Sequence, residues 1–363
     1  MMMSDISQDL LEEILSRVPT TSLGAVRSTC KQWNALSKDP SFAKKHCGKA
    51  AEAILVIMLN DFRAQLMSVN LHSNKDLVDP SVKEICNSFV QVFHCDGLLL
   101  CVPKENSTSL LVWNPYLGQT RWIKPTSGKP TSNSHLVERY ALGYDNNRNH
   151  KIFRYLNDYD DNARQLIVGF EIFDLKCNIW KALDVTPDWY KPYSFCGWVS
   201  VKGNTYFVAQ KILGGGVRTN FLLCFDFTKE SFGRHLHLPF DFHPEYGVTL
   251  SSVREEKLAV LFKKWNADDM DIWITTKIEP NAVSWSYFLK LDRTVIGIQI
   301  SVNFFIDEKK KIAVIYSKDR KESNNFTAYM CGEDGYCYQE VHLGESGSRP
   351  FVYPYAPSWV QIQ

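Results

Sequence analysis

Two rhythms of apolar residues divide the chain. Up to about residue 46 they recur three and four positions apart, the spacing of one helix face. Beyond about residue 52 they come in short alternating runs broken by Gly, Asn, Asp and Pro, the texture of strands and hairpins. In the front part, Leu10, Leu11, Ile14, Leu15 and Val18 fall within about 140° of arc and predict a first helix, which Pro19 ends. Leu23, Val26, Cys30, Trp33 and Leu36 fill a similar stripe and predict a second, with Thr20, Thr21 and Ser22 as candidate caps. "KDPSFAKKH" predicts a third, with Asp39 as cap and Pro40 at the first helical position.

The body carries a loose repeat in which an apolar strand is followed by a polar turn and then an aromatic residue. Its units are "LLVWNPYLGQTRWI", "FEIFDLKCNIWKAL", "FLLCFDFTKESFGRHLHL", "MDIWITTKIEPNAVSWSYFLKL" and "TAYMCGEDGYCYQEVHL". With Trp122, Trp180, Phe232, Trp285 and Tyr338 as equivalents, the intervals are 58, 52, 53 and 53 residues. Between them lie inner-strand candidates, "DGLLLCV", "KIFRYL", "NTYFVAQ", "KLAVLFK" and "KIAVIYS". A period of about 50 residues with about four strands per unit predicts an all-β domain of β-propeller, kelch-like form with about six blades. A sandwich is the structural alternative. The last unit is expected to combine "AILVIMLNDFRAQLMSVNL" with C-terminal material, so that Ile54–Leu59 and Ser358–Ile362 lie in the same or adjacent blades and protect the strand edges.

A front module of about 45 residues is too small to bury both helical stripes alone. The helices therefore either pack on the β body or offer their apolar faces to another protein. A helix-turn-helix DNA binder is disfavoured. Residues 1–50 hold seven Lys/Arg against five Asp/Glu, and the second helix is apolar rather than rich in Arg and Asn.

The stretch "DISQDLLEEILSRVPTTSLGAVRSTCKQWNALSKDPSFAKKH" resembles the F-box. The resemblance is carried by Asp9-Leu10, Glu13-Ile14-Leu15, Arg17, Pro19, Ser22-Leu23, Arg27, Cys30-Lys31, Trp33, Asp39-Pro40 and Phe42. The family usually has Leu-Pro where this chain has Ile6-Ser7. The resemblance implies that residues 4–48 form a three-helix module that docks onto a Skp-family adaptor and, through it, onto cullin and RING subunits. Adaptor-facing residues would be Leu10, Ile14, Leu15, Val18, Pro19, Leu23, Val26, Arg27, Cys30, Trp33 and Leu36.

Residues 52–363 resemble the plant F-box-associated interaction domain, type 1. The matching stretches are "CDGLLLC", "VWNPYLGQTRWI", "ALGYD", "FEIFDLKCNIWK", "VSVKGNTYF", "FLLCFDFTKESFG" and "YAPSWV". Phe207 and Trp359 stand where that family often has Trp and Leu, and read as core substitutions. The implied role is capture of a target protein.

Composition narrows the function classes. The 363 residues are 45% apolar and 13% aromatic, enough for a substantial core and against disorder. Forty-one Lys/Arg against 40 Asp/Glu leave +1, so counterion-driven binding to nucleic acid is not expected. "MMMSDISQDLLEEIL" does not read as a secretion signal, and the aliphatic run at Ala53–Leu59 is far short of the ~20 residues that span a bilayer. Ten cysteines without a C-x-x-C pair read as reduced core thiols in a protein of the cytoplasm or nucleus.

Candidate chemistry is thin. His235, His237 and His243 lack an evident fourth ligand for zinc. "DYDDNA" at Asp158–Ala163 starts like a calcium loop, but Ala163 and Gly169 occupy its sixth and twelfth places, leaving a solvated loop. Gly214–Gly216 lacks a following Lys-Ser/Thr and reads as a hairpin tip, as does Asp307–Lys311. "GESGS" lacks the second glycine of a nucleophile elbow.

The expected function is therefore that of a non-catalytic substrate receptor of an SCF-type ubiquitin ligase, with no metal and no cofactor. It would act by proximity. Candidate target-binding loops are Gly128–His135, Asn157–Arg164 and Leu213–Thr219. The competing expectation is a propeller enzyme or carbohydrate-binding protein with a purely structural helical front.

Overall fold

The computed structural model describes residues 7–18, 22–37, 39, 41–42, 46, 54–69, 78–104, 109–125, 137–160, 165–190, 197–240, 247–263, 269–292, 303–318, 325–345 and 351–362. Three helices lead: α1 (Gln8–Ser16), α2 (Leu23–Thr29) and α3 (Lys31–Ser37). The second helix expected from the sequence is thus two. The chain turns extended at Cys30, with φ −154° and ψ 159°. There the Cys30 sulfur accepts from Trp33 N at 3.4 Å, and its carbonyl accepts from Asn34 N, starting α3. The break lets Leu23 pack toward the β body, while Val26, Trp33 and Leu36 pack around Leu11, Leu15 and Phe42. Asp39 caps the next turn as expected, accepting from Ser41 N at 2.9 Å and Phe42 N at 3.3 Å.

The body is antiparallel throughout. Its first sheet contains β1 (Ile54–Asn60), β2 (Arg63–Val69), β3 (Val78–Cys95), β4 (Leu98–Pro103), β5 (Leu110–Asn114) and β6 (Gln119–Ile123). Four four-stranded sheets follow. They are β7 (Val137–Tyr144), β8 (His150–Asp160), β9 (Gln165–Asp174) and β10 (Ile179–Ala182); then β11 (Val199–Val201), β12 (Asn204–Ile212), β13 (Arg218–Asp226) and β14 (Ser231–Phe232). The last two are β15 (Gly247–Val253), β16 (Lys257–Lys263), β17 (Asp269–Glu279) and β18 (Ala282–Asp292); then β19 (Asn303–Asp307), β20 (Ile312–Lys318), β21 (Asn325–Cys331) and β22 (Cys337–Glu345). The final strand, β23 (Phe351–Tyr355), joins the first sheet, whose order is β23-β1-β2-β3-β4-β5-β6.

Strand β3 divides that first sheet. Its residues Val78–Ser88 pair with β2, and Phe89–Cys95 pair with β4. The sheet therefore consists of two four-stranded units sharing one long strand. The alternation of side chains across a strand then packs each unit against two neighbours. Ile57 and Leu59 of β1 face Phe89, Leu99 and Trp113, whereas Val56 and Met58 face Phe305, Val314 and Met330 of the last sheet. Comparable clusters fill every remaining interval between consecutive units. Each sheet is thus buried on both faces and the last packs on the first. That is a propeller arrangement, not a two-layer sandwich.

Two sequence expectations shift in place. All five repeat aromatics fall on the fourth strand of their units: Trp122 on β6, Trp180 on β10, Phe232 on β14, Trp285 on β18 and Tyr338 on β22. Trp180 Nε1 donates to Lys124 O at 2.9 Å and Trp285 Nε1 to His237 O at 3.0 Å, each tying one unit to the end of the preceding one. The expected inner strands are instead second strands, β4, β8, β12, β16 and β20. They read as most apolar because they are flanked on both edges and covered on both faces. The strands that touch one another toward the centre are the C-terminal part of β3 with β7, β11, β15, β19 and β23.

Closure uses both ends of the β body. β23 pairs with β1, from Leu55 opposite Tyr355 to Leu59 opposite Phe351. Residues 358–362 then run over the adjoining unit, where Val360 and Ile362 pack against its apolar cluster. The strap lies so close to the β3–β4 turn that a Cβ on Gly97, whose φ is +73°, would meet Ser358 Cβ at 2.2 Å. The cysteines require a correction. Cys95, Cys101 and Cys224 are buried free thiols, but Cys331 and Cys337 form a disulfide. They are register partners across β21 and β22 with Cα atoms 3.9 Å apart, a pairing that sequence separation does not reveal. Cys177 lies exposed and is no core thiol either.

Candidate functional site

Helix α1 is amphipathic in a way its own module does not use up. Ser7, at the position where Pro is usual, caps the helix by accepting from Leu10 N at 3.3 Å. Leu11 and Leu15 point inward, Leu15 with 0% of its surface exposed. Leu10 and Ile14, one turn apart, remain 54% and 43% exposed. Covering these two side chains fully is worth roughly 1.5–3 kcal/mol together, which a partner's apolar surface can supply. Glu13 and Arg17 pair beside them at 3.0 Å.

The other residues expected on this face separate into groups. Val18, Val26, Trp33 and Leu36 are half-buried around the helical core, and Cys30 is half-buried at the helix break. Pro19 lies outside the described residues. Leu23 and Arg27 face another way. Leu23 is 1% exposed and packs with Tyr116 and Leu117 from the β5–β6 turn. Arg27 donates through Nη1 to the Tyr116 carbonyl and through Nε to Ser37 Oγ at 2.9 Å, and its guanidinium lies 5.4 Å from the Tyr116 ring centre. These two residues hold the helices to the body instead of presenting an open surface.

Tyr116 and Leu117 were missed as functional residues, although a signal exists. In the next two repeats the same turn positions carry Lys176-Cys177 and Thr228-Lys229. Two large apolar residues at the tip of one turn, where the equivalents are small or charged, mark a covered turn. His46 completes the contact, with its ring centre 5.7 Å from that of Tyr116 and its Nε2 2.7 Å from Val18 O.

In each antiparallel unit the first-to-second and third-to-fourth turns share one rim, and the second-to-third turn lies on the other. The helices sit on the first rim, through the β5–β6 turn. That rim also carries a charged cluster joining three units. Asp96 Oδ2 lies 3.1 Å from Arg148 Nη1 and 3.3 Å from His150 Nε2, while Glu255 Oε1 lies 2.8 Å from His94 Nε2. Glu255 Oε2 also accepts from Asp96 N at 2.8 Å. Burial pulls the Asp96 carboxyl upward, but contact with His150 and the positive potential of His150, Arg148 and His94 hold it below the usual carboxylate range. An open bowl of about 590 Å³ lies over this cluster, walled by Pro357 and Trp359. Trp359 is thus a partly exposed wall residue, not the core substitution expected. The carboxylates and cations of the bowl are engaged with one another, which suits a tie between units better than acid–base catalysis.

The opposite rim holds, in full, one of the loops singled out for target binding. Leu213–Thr219 forms the β12–β13 hairpin, with Gly214–Gly216 as a short 3₁₀ turn at its tip. Ile212, Leu213 and Val217 are all exposed there. Asn157–Asp160 belongs to β8 and pairs with Gln165–Val168, so the expected solvated loop is strand up to Asp160; residues 161–164 lie outside the described residues. Gly128–His135 lies outside them entirely.

The remaining motifs take structural places where they are described. His235 stacks on Phe221 with ring centres 3.7 Å apart and lies 3.6 Å from Asp188, and His243 is outside the described residues. Asp307 Oδ1 accepts from Lys309 N and Lys310 N, making Asp307–Lys311 the hairpin turn expected. Among the described residues no group of three or more His, Cys, Asp or Glu is arranged to hold a metal ion.

Comparison with known proteins agrees with this two-part plan. Residues 3–45 match the F-box domain family, and residues 55–362 match the family described as F-box associated beta propeller domain. "Putative F-box protein At3g19560" of Arabidopsis thaliana is 49% identical over 374 residues, covering 99% of each chain. "Putative F-box protein At5g51000" of the same plant is 50% identical over 360 residues, 95% of this chain and 92% of its own. "F-box/kelch-repeat protein At3g16740", also from Arabidopsis thaliana, is 47% identical over 402 residues, 99% of each.

Proposed function

The chain belongs to the F-box proteins that carry an F-box-associated β-propeller domain, and on that premise we propose that it is the substrate receptor of an SCF-type ubiquitin ligase. Residues 4–48 bind a Skp-family adaptor and, through it, the cullin and RING subunits. Residues 52–363 form a six-bladed ring that holds a target protein. The chain itself does no chemistry: it raises the effective concentration of target lysines near a charged ubiquitin carrier. Its place of work is the cytoplasm, the nucleus or both.

The observation that carries the proposal is the uncovered pair Leu10 and Ile14 on a helix whose opposite face is already packed. A helix that only propped up the body would turn these side chains inward. For the target, the supporting observation is topological. The β12–β13 hairpin stands on the rim opposite the helices, so an adaptor and a target can be held at once.

The direct test is capture of a purified Skp-family adaptor by the full chain and by its Leu10→Asp/Ile14→Asp form. Placing two carboxylates in an apolar interface costs several kcal/mol, so capture should fall at least about a hundredfold. Undiminished capture would show that the adaptor uses another surface. No capture by the wild-type chain would remove the receptor proposal itself.

A further inference from the structure

The β5–β6 turn does three jobs at once. Its tip residues Tyr116 and Leu117 hold α2 through Leu23 and Arg27. Its first residue, Asn114, is fully buried and receives the C-terminal strap: Asn114 Nδ2 donates to Ser358 O at 3.0 Å and to Val360 O at 2.7 Å. The other side of the same carboxamide, Oδ1, accepts from Leu117 N at 2.9 Å. Just beyond the turn, Gln119 Oε1 accepts from Ile362 N at 3.0 Å. Strap, turn and helix are therefore linked by contacts that share individual residues.

The equivalent turns show why Asn stands here. Asp174 and Asp226 occupy the same place in the next two units, and each uses Oδ1 to accept two backbone N–H groups of its own turn. A carboxylate suffices where only acceptance is needed. At position 114 the side chain must accept on one side and donate to two carbonyls on the other, which an amide can do and a carboxylate cannot.

We infer that the turn Asn114–Gly118 couples closure of the β ring to the seating of the F-box helices, with Asn114 and Tyr116 as positioning residues. The strap that follows the closing strand β23 fixes the turn, and the turn fixes α2. The consequence for ubiquitin transfer rests on the receptor function proposed above: the angle between adaptor and target rim is set by ring closure, at a residue that touches neither partner. A loosened turn would leave adaptor affinity intact while blurring which lysines come within reach.

Amide hydrogen exchange on the full chain tests the coupling directly. The near-isosteric Asn114→Asp keeps the acceptor for Leu117 N but sets a carboxylate against two carbonyl oxygens. Exchange should become faster, on the order of tenfold, in residues 358–362 and also in α2. The control Asp174→Asn, in the equivalent turn of the next unit, should leave α2 unchanged. Acidification should relieve the Asn114→Asp effect, after correction for intrinsic exchange rates, because a protonated carboxyl can donate again. A general packing defect would show no such recovery. If Asn114→Asp does not fold, ending the chain after Pro357 removes Ser358 and Val360 outright and asks the same question of α2 alone. Faster exchange in the strap with α2 unaffected would overturn the coupling, and so would an unaffected strap. Adaptor capture by the wild-type chain is scored separately, and its failure would sink the receptor proposal without altering the exchange result.

Discussion

Val56, the third residue of the first strand, lies opposite Pro354 in the last strand of the body. A proline cannot donate to a further strand, which suits β23 to its place at the edge of its sheet, bonded on one side only to β1. The first and last strands of the body thus end the ring together. Deleting residues from Tyr355 onward removes a buried ring next to Leu55, the two carbonyls bonded by Asn114 and the cover over Gly97. Losing a buried aromatic alone costs about 3–5 kcal/mol, so the body should melt on the order of 10 °C lower, in one cooperative step. Calorimetry of the truncated chain checks this. Melting at the wild-type temperature would mean that the ring closes without its strap.

Neighbouring residues on α1 should respond differently to the same substitution. Ile14→Asp places a carboxylate at an exposed position, so the melting temperature should hardly move while adaptor capture falls. Leu15→Asp puts the carboxylate among Leu11, Phe42 and Val18, where an unpaired charge costs several kcal/mol and should unfold the module. Helical circular dichroism and adaptor capture, measured on both variants, separate the two effects. Equal helix loss in both would show that Ile14 is a core residue.

Much of this architecture is legible in the sequence because its causes are local or periodic. The repeat aromatics mark the fourth strands, from which Trp180 and Trp285 bond back to the end of the preceding unit. The helix proposed to face the adaptor is legible from Leu10 and Ile14, which share a stripe with Leu11 and Leu15. What the stripe cannot say is which edge of it faces inward, for that depends on Phe42 and Trp33 arriving from later in the chain. The break at Cys30 is similarly illegible, because no Gly or Pro marks it; tertiary packing decides it. Leu23 and Arg27 read as outward-facing in the sequence because their partners, Tyr116 and Leu117, lie some 90 residues away. The Cys331–Cys337 pairing needed the strand register.

The charged cluster around Asp96 predicts a pH dependence. Asp96 is held below the usual carboxylate range, and its neighbours are His94, Cys95, Arg148, His150 and Glu255. A carboxyl depressed in the folded state stabilises the fold above its unfolded value, about 4, and this contribution is lost as pH falls through the folded value. Asp96→Asn should therefore cost roughly 1.5–3 kcal/mol near neutral pH, the worth of a hydrogen bond to a charged group. The gap between variant and wild type should narrow as pH drops below about 4. Melting curves across that range check it. A gap independent of pH would mean that Asp96 acts through packing, not charge.

The hairpin tip on the far rim supplies the last prediction. Ile212 and Val217 are 56% and 60% exposed, and Leu213 beside them is open too. No heavy atom beyond their immediate chain neighbours would touch a Cβ added at Gly214 or Gly216, so the tip stands clear of the body. Lys211 is paired to Asp188 and Arg218 lies exposed at the base, so the apolar tip rises from a polar collar. Exposed aliphatic side chains cost the monomer little when changed, usually within about 0.5 kcal/mol each. At a protein interface the same side chains are worth more, because a partner removes them from water. Replacing Ile212, Leu213 and Val217 together with Ser should leave the melting temperature and adaptor capture unchanged while reducing recovery of partner proteins by the body. Affinity capture from tissue extract with and without proteasome inhibition, comparing variant with wild type, makes the measurement. An identical set of partners would move target binding away from this hairpin, to another part of the rim that the strands leave free.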